Sequence, residues 1–99
     1  MESKNEIKQR LASLAEIFHS YRVSRVGLFG SYVHGSQNEE SDIDLLVDFS
    51  NPIDLFSYVN LVDSLSAALG HKVDMVTVSG LKPALKKGIL REVEWIEEL

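Results

Sequence analysis

Three groups of residues in this 99-residue chain have the types and spacing to do chemistry. Gly30-Ser31 follows an apolar run that ends at Phe29. A turn of this kind opening a helix leaves backbone N–H groups unpaired at the positive end of the helix, which suits an anion, and Ser31 adds a hydroxyl donor. Asp42 and Asp44 stand two apart at the start of a run that turns apolar, Asp-Ile-Asp-Leu-Leu-Val-Asp-Phe. On a strand both carboxylates point to one face, roughly 6.5–7 Å apart along the chain, a spacing that suits bridging two metal ions. With no Lys or Arg nearby in sequence, two like charges on one face are costly unless a cation comes from outside. Hard oxygen donors without His or Cys favour Mg²⁺ or Mn²⁺ over zinc. Asp74, between Val73 and Met75, is out of place in a core strand unless its face opens onto the site. A third carboxylate there can complete the metal site, or orient and deprotonate an attacking hydroxyl. A phosphate cradle beside a divalent-metal site is the kit for phosphoryl or nucleotidyl transfer.

Other readings of the same residues fail on detail. Gly30 to Gly35 has the gap of a P-loop, but Ser36-Gln37 follows where Lys-Ser/Thr is required. An EF-hand counted from Asp42 needs Gly at its sixth position and has Val47. A phosphoryl-aspartate enzyme carries its acids after a hydrophobic strand, and here a polar loop precedes them. A glycosyltransferase-type Asp-x-Asp passes the local test but ordinarily belongs to a much larger domain.

The elements that must position these residues are readable from periodicity. Ile7, Leu11, Leu14 and Phe18 predict an amphipathic helix over about 4–20, with Ser3 and Glu6 as a capping box. Val23–Phe29 predicts a strand, residues 36–41 a loop, and residues 42–49 a strand that enters the core and stops at Asn51-Pro52. Leu55, Val59, Val62 and Leu69, with Leu65 alongside, predict a helix over about 53–69 closed by Gly70. Lys72–Val78 predicts a third strand. After Ser79-Gly80 a helical C-terminus is expected, started or kinked by Pro83 and open to interruption at Gly88. The fold class expected is α/β (α+β): a small mixed sheet flanked by helices, in a single domain over 1–99.

Composition narrows the function classes. The 46 residues from 26 to 71 hold seven acids and no Lys or Arg, so every basic residue lies in the two flanks. A sequence pI of about 5.1 argues against independent tight binding to a nucleic-acid backbone, so no direct nucleic-acid partner is expected. With no cysteine there is no disulfide, thiolate zinc site or thiol nucleophile. No apolar stretch suits a signal or a membrane span, so a cytoplasmic protein without membrane contact is expected. A chain this short leaves any substrate pocket shallow or shared. Phe56, Trp95 and Ile96 can serve either the core or a partner surface, and Asp48, Asp54, Tyr32, Tyr58 and the Lys82/Lys86/Lys87 cluster are expected to lie outside the site.

Taken together, Gly30-Ser31, the ten residues 32–41 and Asp42-Ile43-Asp44 resemble the minimal nucleotidyltransferases of the DNA polymerase beta superfamily. Gly35, Ser41 and Val73-Asp74-Met75-Val76 extend the match, and the element order covers nearly the whole chain. The resemblance implies that Gly30, Ser31 and Ser41 bind a nucleoside triphosphate, and that Asp42, Asp44 and Asp74 bind two Mg²⁺ and carry catalysis. Stand-alone members are similar to antitoxins paired with a helical HEPN ribonuclease toxin, and some move AMP from ATP onto a toxin tyrosine. ATP and a HEPN-family toxin are therefore the partners implied, with a homodimer or hetero-oligomer left open. His34 stands where the commonest family form has Arg, which bears on the cationic contact to the phosphates. The alternative implied is a catalytically weak binding module that neutralises a toxin by direct contact.

Overall fold

A computed structural model describes residues 2–96. The chain forms α1 (Lys4–Ser13), α2 (Ala15–Ser20), β1 (Val23–Phe29), α3 (Ser31–His34), β2 (Ile43–Phe49), α4 (Leu55–Leu69), β3 (Val73–Thr77), α5 (Pro83–Glu92) and β4 (Glu94–Trp95). The strands make one mixed sheet in the order β3-β2-β1-β4, with β2 and β3 parallel and the other pairs antiparallel. The expected fold class holds.

The expected N-terminal helix is two helices, and the cause is local. Ser3 and Glu6 form the capping box. At the other end the Ser13 hydroxyl donates to the Arg10 carbonyl at 2.6 Å, and the Leu14 N–H, which would otherwise take that carbonyl, donates to Leu11 at 3.0 Å. A serine competing for the helix ladder in this way breaks it. Ile7, Leu11 and Phe18 still reach one core with Val26, Leu28, Ile43, Leu45, Val47, Leu61 and Leu65.

Two expectations about the helices need correction. In α4 the buried line is Leu61, Leu65 and Leu69, while Leu55 and Val59 are exposed. Val59 lies two residues from Leu61, more than half a turn around the helix, so the two cannot share a face. The C-terminal helix runs uninterrupted through Gly88 but ends at Glu92, and the chain then adds β4 along β1, a strand the sequence pattern did not signal. Residues 97–99, also expected to be helical, lie outside the described residues.

β4 is seated by a small residue. A Cβ placed on Gly27 would lie 2.4 Å from Val93 Cγ2 and 3.0 Å from the Trp95 ring. Trp95 is half-buried under the Arg25 guanidinium, 3.9 Å from the ring centroid, and Ile96 is buried, its N–H bonded to the Val26 carbonyl. Gly27→Ala is therefore expected to push β4 off the sheet edge and cost about 1–3 kcal/mol. The urea midpoint reads this directly, and an unchanged midpoint would mean that β4 does not depend on Gly27.

The candidate active site

The open end of β1 and β2 gathers the expected residues. β1 ends at Phe29 opposite Asp44, and Gly30 turns the chain into α3 with φ 77° and ψ −146°. That backbone state is closed to side-chain-bearing residues, and there is a second reason for glycine. A Cβ at position 30 would lie 2.2 Å from Asp44 Oδ2, so the turn and the carboxylate are in direct contact. The Gly30 carbonyl accepts from the N–H groups of Val33 and His34, and Ser31 opens the short helix. Gly35, in the left-handed conformation, closes it.

Asp42 is the last loop residue before β2, and Asp44 is the second residue of the strand. The parallel register of β2 and β3 sets Asp44 opposite Asp74, between the buried Val73 and Met75. The alternation read from the sequence thus holds: apolar neighbours face the core while Asp74 is exposed. Burial raises the Asp44 carboxyl to about 6, and the charges of Asp74, Asp42 and Glu92 push in the same direction. Electrostatically this is a cluster with an excess of negative charge.

The structure adds two residues that sequence reasoning missed. Glu92, the last residue of α5, accepts from the Gly30 N–H at 3.4 Å and pairs with His34 Nε2 at 2.6 Å. Lys72 Nζ lies 3.9 Å from Asp42 Oδ2, so a cation does stand near the pair. Its side chain is 79% exposed, and an ion pair so well solvated does little to neutralise the cluster. Lys72 opens the strand predicted over Lys72–Val78, and only the parallel register of β2 and β3 brings it to Asp42. Glu92, distant in sequence and inside an exposed helix, gave no signal.

The hydroxyl of Ser41 accepts from the Asn38 N–H at 2.8 Å, fixing the loop that delivers Asp42 and leaving the hydroxyl proton to donate elsewhere. Several of the residues expected to lie outside the site have partners of their own. Asp48 pairs with Arg25, Asp54 accepts from the Ser57 hydroxyl, and Tyr32 is buried edge-on to His71. Tyr58 donates to the Met75 carbonyl, its hydroxyl raised by burial and by the charge of Asp74.

Among the described residues no three His, Cys, Asp or Glu side chains converge into a ready metal cage. The donor set nevertheless fits divalent cations. It consists of carboxylates alone, and the burial and repulsion that raise Asp44 are what a bound cation relieves.

A family model described as polymerase beta nucleotidyltransferase matches residues 12–98. The chain belongs to the polymerase beta nucleotidyltransferase family. The chemistry of this family uses divalent metal ions, in keeping with the carboxylate cluster. A protein adenylyltransferase, MntA of Thermococcus cleftensis, is 42% identical over 81 residues, covering 82% of this chain and 82% of its own length. A solved structure assigned as a minimal nucleotidyltransferase superposes with a TM-score of 0.81 at 32% identity, over 94% of this chain and 95% of that one. The chain also shares its fold with one from a complex of a tri-AMPylated Shewanella oneidensis HEPN toxin and its MNT antitoxin. There the TM-score is 0.69 at 20% identity, over 93% of this chain and 73% of that one. As a member of this nucleotidyltransferase family, the chain has its Gly30-Ser31 turn and its Asp pair on adjoining strand ends of one sheet.

Proposed function

We propose that the chain transfers AMP from ATP to a hydroxyl of a partner protein, and that this partner is a toxin of the HEPN type. The observation that carries the reading is the contact of three elements: the Gly30 turn against Asp44, and Asp44 in register with Asp74. The adenylyltransferase name of the Thermococcus cleftensis relative supports AMP as the group moved, and the AMPylated toxin in the structural neighbour supports the acceptor. Residues 1–99 are read as one minimal nucleotidyltransferase domain acting in the cytoplasm, where ATP is supplied. An open site with an exposed Asp74 suits an acceptor that brings its own walls.

In this reading Gly30, Ser31 and Ser41 hold the triphosphate through backbone N–H groups and hydroxyl donors. Asp42, Asp44 and Asp74 hold two Mg²⁺, for which Mn²⁺ can substitute. When bound, these ions neutralise charge on the phosphates and lower the pKa of the attacking hydroxyl. Asp74, at the exposed edge, orients that hydroxyl and can accept its proton. The hydroxyl oxygen bonds to the α-phosphorus, the bond from that phosphorus to the β-phosphate breaks, and pyrophosphate leaves.

The test is incubation with [α-³²P]ATP, Mg²⁺ and the protein encoded by the adjacent gene. The partner is expected to become labelled by the wild type and not by the Asp42→Asn/Asp44→Asn variant. Equal labelling by both overturns the proposal. Neutralisation by contact alone is the second reading, favoured by the Glu92 carboxylate in front of Gly30. It predicts that the double Asp variant protects cells from the toxin as well as wild type does.

A further inference from the structure

We propose that Glu92 is an internal competitor for the nucleotide phosphates, held over the Gly30 turn by His34, and that it sets the affinity for ATP. The inference rests on the reading of Gly30-Ser31 as the phosphate cradle. One oxygen of Glu92 takes the Gly30 N–H at 3.4 Å and the other lies 2.6 Å from His34 Nε2. The Gly30 N–H and the His34 ring are among the donors that a phosphate entering the turn would use. A carboxylate and a phosphate are both anionic acceptors, so the two cannot share them. Glu92 also adds a fourth negative charge beside Asp42, Asp44 and Asp74, where a triphosphate carries its own charge.

The geometry indicates how the carboxylate leaves. None of the side chains of α5 is buried, whereas the segment after it is fixed by β4 pairing and by the Ile96 to Val26 hydrogen bond. A swing of the Glu92 side chain, with at most a small shift of the last turn of α5, clears Gly30 without unseating β4. It also releases His34, which is 59% exposed, to donate to an incoming phosphate. His34 therefore serves two anions in turn, Glu92 in the free protein and phosphate in the complex.

The experiment is calorimetric titration of the full chain with ATP and Mg²⁺, alongside Glu92→Gln and Glu92→Ala, with thermal unfolding of each protein without nucleotide. The two variants cover each other should one fold poorly. Both are expected to bind ATP about five- to tenfold more tightly than wild type, since both remove a partly solvated like charge and Glu92→Ala removes the competing acceptor as well. The free variants are expected to melt at or slightly below the wild-type temperature. Tighter binding at unchanged or lower free-state stability is what separates competition from a general gain in stability. If wild type binds ATP and both variants bind it equally or more weakly, the Glu92 proposal falls while the cradle stands. If no protein in the series binds ATP, the cradle reading falls and takes the Glu92 proposal with it.

Discussion

Asp44→Asn is expected to make the protein more stable at pH 7 while removing about three orders of magnitude of AMP transfer, on the order of 4 kcal/mol of barrier. The stability half follows from the carboxyl of Asp44, raised from 3.8 to about 6 by burial first and by Asp74, Asp42 and Glu92 after it. A carboxyl raised in the folded state is held protonated longer there than in the unfolded chain. Its favourable contribution is fully present below about pH 4, where both states are protonated, and is lost as pH rises through about 6. Above that the fold carries a charge that its surroundings oppose. A full conversion of the shift would be about 3 kcal/mol, and solvent screening at this half-exposed group reduces it to roughly 1–2 kcal/mol. Asparagine keeps the shape without the charge. The variant should therefore melt about 5–10 °C above wild type at pH 7. The difference should shrink toward zero between pH 6 and pH 4. Differential scanning calorimetry across that range measures it, and a variant less stable than wild type at pH 7 would contradict the electrostatic account of the cluster.

Gly30→Ala is expected to fail in both respects. The backbone at φ 77° and ψ −146° is strained for any residue with a Cβ, by roughly 1–3 kcal/mol. The new methyl would also stand 2.2 Å from Asp44 Oδ2 and 3.0 Å from its Cγ, so the carboxylate must move. A melting temperature about 10 °C lower and a loss of transfer of at least about 100-fold are expected, since small displacements at a reacting centre cost that much. The two causes are separable. In an Asp44→Ala background the carboxylate clash is gone, leaving the strain and a closer-than-usual 3.2 Å approach to the remaining Cβ, so Gly30→Ala should cost clearly less stability there. Equal costs in the two backgrounds would show that Gly30 and Asp44 do not press on each other.

These two residues also mark what a sequence can reveal. Asp42 and Asp44 were readable because a period-2 strand forces alternate side chains onto one face, and Asp74 because a lone acid between Val73 and Met75 has no place in a core. Their meeting depends on the parallel register that sets Asp44 opposite Asp74, which periodicity alone does not fix. Glu92 illustrates the limit. It belongs to a helix with no buried side chain and reaches Gly30 across 62 positions of chain, a contact that exists only because β4 returns along β1. A strand of two residues, Glu94–Trp95, carries too little pattern to be distinguished from the end of a helix. A stripe through Leu55 and Val59 is as regular as one through Leu61, so periodicity alone does not choose the buried face. Packing on one face of α4 decided between them.

Direct counting of bound metal tests the central claim, that Asp42, Asp44 and Asp74 form the divalent-metal site of a nucleotidyltransferase. Mn²⁺ can be titrated into the protein with a non-hydrolysable α,β-methylene ATP analogue and followed by electron paramagnetic resonance. The account predicts about two equivalents of Mn²⁺ bound per chain above the nucleotide-only control. It predicts none above that control for the Asp42→Asn/Asp44→Asn variant. The same uptake by the variant, or no uptake by the wild type, would contradict it.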